Sequence, residues 1–101
     1  MMQMVKLQRG DIFYANLDFL DGLEKKGINP VLILDNPMSI MYKTTVICAV
    51  VADINKPMTI STNIIHTIDK KRLRERIDHL DNIAMAEVEK ELKIILCLGE
   101  A

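Results

Sequence analysis

The run Ile12-Phe13-Tyr14-Ala15-Asn16 directly follows the turn signal Arg9-Gly10-Asp11 and reads as a strand, whose side chains alternate between two faces. That period of two predicts a first strand in which Ile12 and Tyr14 face one way and Phe13, Ala15 and Leu17 the other. Pro30 opens an apolar run to Leu34, and a residue without an N–H is tolerated at the first position of a strand. Between these strands lies Asp18 to Ile28, where Asp18, Asp21, Glu24, Lys25 and Lys26 alternate with the backbone-permissive Gly22 and Gly27; it reads as a mobile, solvated loop. Asp35-Asn36-Pro37-Met38-Ser39 is a turn cluster. The run Thr44 to Ala52 is β-branched and apolar on both faces, which predicts the central strand, buried on two sides.

Asp53 to Pro57 ends that strand, and Met58 to Ile65 predicts another short one with a Thr/Ser/Asn-rich middle. Thr67-Ile68-Asp69 suits a capped helical turn that carries the run Lys70 to Arg76. Ile77 to Leu80 reads as a brief strand. Asp81 is an N-cap for a final helix, whose apolar stripe is Ala84, Met85, Val88, Leu92, Ile95 and Leu96. On its polar face Glu89 stands four residues before Lys93, and Gly99 is placed as the residue that closes the helix. Met1 to Leu7 reads as a frayed lead-in or a short edge strand. Several short strands followed by one helix suit a small, strongly bent sheet with the helix packed on it. No repeat, linker or low-complexity stretch divides the chain, so 1–101 is expected to be a single domain.

Composition narrows the picture. A 101-residue chain supports one modest core. Half of it is hydrophobic and only four residues are aromatic, so that core is aliphatic. A net charge of −1 supplies no global field for phosphate, and any RNA site has to be local. Cys48 and Cys97 sit in apolar surroundings without C-x-x-C or histidine at zinc spacing, and read as buried, reduced thiols with no metal site. The first residues lack an apolar signal region and Val46 to Ala52 is far below membrane-spanning length, so a cytoplasmic protein without membrane contact is expected.

The opening Arg9-Gly10-Asp11-Ile12-Phe13-Tyr14-Ala15-Asn16-Leu17, the Gly-containing loop, Pro30-Val31-Leu32-Ile33 with Asn36 after it, and His66-Thr67-Ile68-Asp69-Lys70-Lys71-Arg72-Leu73 resemble the MazF/PemK (Kid-like) toxins of type II toxin–antitoxin systems. The likeness continues through Ile77-Asp78-His79-Leu80-Asp81 and down the last helix. It implies a mainly β fold with a C-terminal helix, a small SH3-like barrel of the MazF/Kid/CcdB type. It also implies a two-fold homodimer, a MazE-like antitoxin as partner, single-stranded RNA as ligand, and operator DNA reached only through an antitoxin complex. No cofactor is implied: in this family the ribose 2′-hydroxyl attacks the adjacent phosphate without metal, leaving a cyclic phosphate and a free 5′-hydroxyl.

Such a reaction needs a cation where charge builds on the phosphate, and groups that move protons. The resemblance assigns the cation to an Arg before the strand-two Pro and a hydroxyl to a Thr at the end of the central strand. Here those positions hold Asn29 and Ala52. Asparagine donates hydrogen bonds but lacks the charge and fork of guanidinium, and alanine has no side-chain polar atom. His66 stands where the family commonly has Arg, and Ile64 where Gln is usual. Between Lys56-Pro57 and the following strand the chain is shorter than the family by about one strand and its turn.

Substitutes for the lost groups are few. His66 is a candidate base or phosphate donor, against a plain reading as a strand or turn histidine. Lys25, Lys26 and Lys56 are candidates for lining a groove for RNA or a partner, or are solvated loop charges. His79, before the helix cap, reads as structural, and Phe13 and Tyr14 as core residues rather than base-stacking platforms. The run Lys70 to Arg76 holds five cations but is flanked by Asp69 and Asp78, with Glu75 inside it, and reads as a solvated face. Three functions remain open: a catalytically impaired RNA- or antitoxin-binding module, an active metal-independent mRNA endoribonuclease, and a folded relic.

Overall fold

The computed structural model describes residues 6–18, 27–55 and 57–99. In chain order these form β1 (Asp11–Asn16), β2 (Ile28–Ile33), β3 (Thr45–Asp53), β4 (Thr59–Asp69), a 3₁₀ turn (Lys70–Arg72), β5 (Leu73–His79) and α1 (Asn82–Ile95). The strands make one antiparallel sheet in the order β4-β3-β2-β1-β5. The central place therefore belongs to β2 rather than to the Thr44–Ala52 segment. Burial on both faces is confined to the middle of β3: Cys48, Ala49, Val50 and Val51 are buried, while Ile47, Ala52 and Asp53 face solvent.

Alternation along the strands sorts the core onto two faces. Phe13, Ala15, Leu17, Val31, Ile33, Val46, Cys48, Val50 and Ile68 form one cluster, and Ile12, Leu32 and Val51 the other. Helix α1 covers the second face with Met85 and Val88, which are buried, and Leu92, which is partly so. The stripe stops there. Ile95 and Leu96, expected to continue it, are about half exposed because the last turn has run past the sheet.

The barrel expected from the resemblance is present as curvature. Only three residues, Lys70 to Arg72, link Asp69 to Leu73, and four Cα steps reach about 14 Å. Yet β4 and β5 stand at opposite edges of five strands, about 19 Å apart if the sheet were flat. The sheet must curl to bring its edges that close. No ladder joins β4 to β5 among the described residues, so the seam stays unzipped. Part of the bend sits in β4, where Ile65 pairs with Ala49 but Ser61 pairs with Val50, leaving Thr62, Asn63 and Ile64 as a bulge. This longer strand absorbs both the Met58–Ile65 segment and the turn expected at Thr67–Asp69. The Asp69 cap is real, but one step later: its carboxylate accepts from the Lys71 N–H at 2.9 Å.

Arg9-Gly10-Asp11 is a structural lock. Gly10 has φ +98°, and its N–H donates to Ile33 at 2.8 Å while its carbonyl accepts from Leu80 N–H at 2.9 Å. A Cβ there would lie 3.3 Å from Cε1 of His79, so both conformation and space demand glycine. Fully buried Asp11 accepts from Gln8 N–H at 3.0 Å, meets His79 Nδ1 at 2.6 Å and has Arg76 Nη1 at 3.6 Å. Thus β1 and β5 are joined by a side-chain cluster as well as a ladder, and His79 is structural as expected. Arg9 donates to the Leu34 carbonyl at 3.1 Å and pairs with Glu89, so Glu89 ties α1 to the turn instead of pairing along the helix with Lys93.

At the start of α1, Asp81 accepts from Ala84 N–H at 2.8 Å, the expected cap. At its end the residue that follows the cap in the left-handed conformation is Cys97, at φ 59°; Gly99, at φ 83°, is left-handed too but lies two residues beyond. The Leu98 N–H then reaches the Lys93 carbonyl at 2.8 Å, closing the last turn. Cys97 is consequently exposed, against the expectation of two buried thiols, whereas Cys48 is buried and its thiol is pushed up to about 12 by desolvation. Alkylation of the native protein at pH 8 is expected to label Cys97 and spare Cys48 until denaturant is added. Mass spectrometry of the labelled peptides checks this, and rapid native labelling of Cys48 would contradict the packing of β3.

Candidate functional site

Asn29 and Ala52 lie in the sequence on different strands, and the sheet brings both to the same end of one strand pair. The β2–β3 ladder pairs Val31 with Val50, Leu32 with Ala49 and Ile33 with Cys48. The ladder ends at Val31–Val50; its register, if continued by two residues, would set Asn29 opposite Ala52. Directly opposed residues share a face, so the two positions that the resemblance marks for chemistry would form one spot at the end of this strand pair.

Asn29 is held from its other side as well. It pairs with Ala15 of β1, is 7% exposed, and its Nδ2 lies 3.5 Å from the Gly27 carbonyl, which also accepts from Leu17 N–H at 2.8 Å. Gly27, at φ +85°, makes the bend that lets this carbonyl serve both donors. Its permissive role was legible in the sequence. The loop it terminates, with Gly22, Lys25 and Lys26, lies outside the described residues, as does Lys56. The charged group next to Ala52 along β3 is the anion Asp53, whose carboxylate accepts from Asn55 N–H at 2.9 Å. What the described residues supply at this spot is an amide, a methyl group and a neighbouring negative charge. That set can hydrogen-bond a ligand, but it offers no cation to a phosphate and no group that titrates near neutrality.

His66 is not brought to this spot. It pairs with Cys48, four residues along β3 from Ala52, a separation of about 13 Å at strand rise. Acid–base partners need to be within hydrogen-bond reach or one water of the reacting atoms, so within one chain His66 and the Asn29–Ala52 pair are separate stations. The cations of the Lys70–Arg76 run are largely committed to the protein itself. Lys70 Nζ donates to the Ile40 carbonyl, Arg74 Nη1 to the carbonyls of Lys71 at 3.2 Å and Arg72 at 3.4 Å, and Arg76 stands by Asp11. Sequence reasoning missed two polar contacts that hold the frame. Thr62, buried in the β4 bulge, donates to Glu91 of α1 at 3.3 Å. Asp35, buried at the end of β2, accepts from Ile47 N–H at 3.0 Å, Asn36 N–H at 2.7 Å and Lys43 Nζ at 2.7 Å. Only the turn propensity of Asp35 showed in the sequence, because the partners come from β3 and from eight residues on.

The frame is a small curled antiparallel sheet with one helix on its second face, and the Asn29 and Ala52 positions lie at the β2–β3 end of it. Comparison with known proteins makes this specific. Residues 8–96 match the family model described as PemK-like, MazF-like toxin of type II toxin–antitoxin system. Endoribonuclease MazF of Staphylococcus epidermidis is 32% identical over 112 residues, covering 92% of this chain and 93% of the relative. Endoribonuclease EndoA of Bacillus subtilis (strain 168) is 32% identical over 111 residues, covering 91% and 96%. A mycobacterial endoribonuclease, solved in complex with its cognate antitoxin, superposes with a TM-score of 0.78 at 19% identity, covering 97% of this chain and all of that one. MazF (Form-I) from Deinococcus radiodurans gives 0.79 at 16% identity, covering 94% and 100%. The chain belongs to the PemK-like, MazF-like toxin family of type II toxin–antitoxin systems. An alignment of 112 residues that uses 92% of a 101-residue chain also means that the relative carries residues absent here, in keeping with the shortening placed at Pro57–Met58.

Proposed function

We propose that this protein is a catalytically impaired member of its toxin family, a single domain over 1–101 that acts by binding RNA or an antitoxin rather than by cutting RNA. The observation that carries the reading is that Asn29 and Ala52 stand at the two positions the family fills with Arg and Thr, at the end of β2 and β3 where the ladder's register points them toward one another, with Asp53 beside Ala52. Loss of one charge-stabilising donor costs about 10²–10³ in rate, and here a cation and a hydroxyl are gone together. The solved mycobacterial relative is bound to its cognate antitoxin, which makes an antitoxin the leading partner, with Lys25, Lys26 and Lys56 as further candidate contacts. A homodimer and a cytoplasmic location go with this reading. No helix among the described residues is long and apolar enough to cross a membrane.

The relatives' names favour a second reading, an active metal-independent endoribonuclease in which His66 supplies the missing chemistry. Incubating the purified protein with long single-stranded RNA in the presence of chelator separates the two. Intact RNA is expected. Cleavage that is abolished by His66→Ala, with folding retained, would replace the binding reading with the catalytic one.

A further inference from the structure

Between the start of β4 and α1 runs a groove of about 620 Å³ on the side of the sheet that carries the helix. Its floor is apolar: Leu80 and Val88 are buried, and Met58 and Ile60 are partly so. Its rim is acidic. Asp81, Glu87 and Glu91 line it, and the opposite-sign candidate among its described lining residues is His79, whose Nδ1 is already held by Asp11. Two of the three carboxylates bond to neutral donors, Asp81 to a backbone N–H at the start of α1 and Glu91 to the Thr62 hydroxyl.

We propose that this groove is a docking site for an extended, cationic segment of a partner protein, with alternate apolar side chains on the floor and Lys or Arg side chains against Asp81, Glu87 and Glu91. Charge complementarity selects the occupant. The negative rim repels nucleic acid. The densest cationic stretch that a second copy could offer is its Lys70–Arg76 run, in which Lys70, Arg74 and Arg76 are engaged within their own subunit. An extended segment also suits the geometry, since β4 is an edge strand and its side chains alternate with the same period of two as those of an added strand. The groove begins at Pro57–Met58, next to the place where the sequence is expected to be shorter than the family. The inference does not depend on whether the Asn29–Ala52 spot cuts RNA.

The test is fluorescence anisotropy of a short labelled peptide alternating lysine and valine, beside its glutamate–valine counterpart. Saturable binding of the lysine peptide alone is expected, weakened about five- to tenfold by Glu87→Lys and weakened further by added salt. Amide shifts in the NMR spectrum should concentrate at Leu80, Ala84 and Val88. Glu87 is exposed, so the variant should melt with the native protein. Absence of saturable binding, equal binding of the acidic peptide, or an affinity unmoved by Glu87→Lys would overturn the proposal. So would sedimentation showing a dimer that Glu87→Lys dissociates, since a second copy would then be the occupant.

Discussion

The double variant Asn29→Arg/Ala52→Thr is expected to cleave long single-stranded RNA in the presence of chelator at least about a hundredfold faster than the native chain. The expectation rests on register. The β2–β3 register, extended two residues past Val31–Val50, would set positions 29 and 52 opposite one another, so both new side chains would arise on one face and at one place. Guanidinium at 29 would add a fixed positive charge with paired donors for phosphate oxygens, and the hydroxyl at 52 a further donor beside it. Each single variant should fall well short of the double, because a cation without its hydroxyl partner restores only part of the charge stabilisation. Gel analysis of a uniformly labelled transcript reads the rate, and product ends carrying cyclic phosphate identify the family's chemistry. If neither the native nor the double variant cuts, while both melt normally, the shortened segment at Pro57–Met58 is the greater loss and the groove needs more than two side chains. A native protein that already cuts as fast as the variant would remove the basis for the binding reading.

Local signals carried much of the fold. Period-two alternation separated the Ile12 and Phe13 faces of β1 correctly, and Asp81 was a true helix cap, since both depend on neighbours in sequence. What was illegible depended on partners far along the chain. The apolar run of β3 looked central because both its faces are apolar, but the position of a strand in a sheet is decided by its ladders, and those put β2 in the middle. Asp11 looked like part of a turn, whereas its burial is sustained by His79 and Arg76 from β5. Gly99 looked like the helix terminator because glycine best tolerates positive φ, yet the helix ends two residues earlier and Cys97 takes the left-handed conformation. For the site, the substituted positions were readable only through the resemblance. Their juxtaposition needed the ladder, as did the finding that His66 lies elsewhere on β3's other neighbour.

Asp35→Ala is expected to destabilise the fold by about 2–4 kcal/mol, the largest effect on stability of any substitution considered. The carboxylate is 3% exposed and accepts from two backbone N–H groups, Asn36 and Ile47, and from Lys43 Nζ. Removing it leaves those N–H groups without this acceptor and frees the 36–43 turn from β3. Asp35→Asn keeps an oxygen for Ile47 N–H but loses the charge facing Lys43, and should cost less. The native contribution has a definite pH dependence. Burial pushes this carboxyl up, but the hydrogen bonds from Lys43, Ile47 and Asn36, with the Lys43 charge, outweigh burial and hold it below the ordinary carboxylate value of 3.8. A depressed folded-state value means that the stabilisation is present in full above the unfolded-state value and is lost as pH falls through the folded one. Urea midpoints should therefore decline more steeply in acid, below about pH 4, for the native chain than for Asp35→Asn. The two curves should draw together at the lowest pH at which the protein still folds. Parallel curves across that range would mean that folding does not lower the Asp35 value and that its contacts with Lys43 and β3 do not operate as ionic ones.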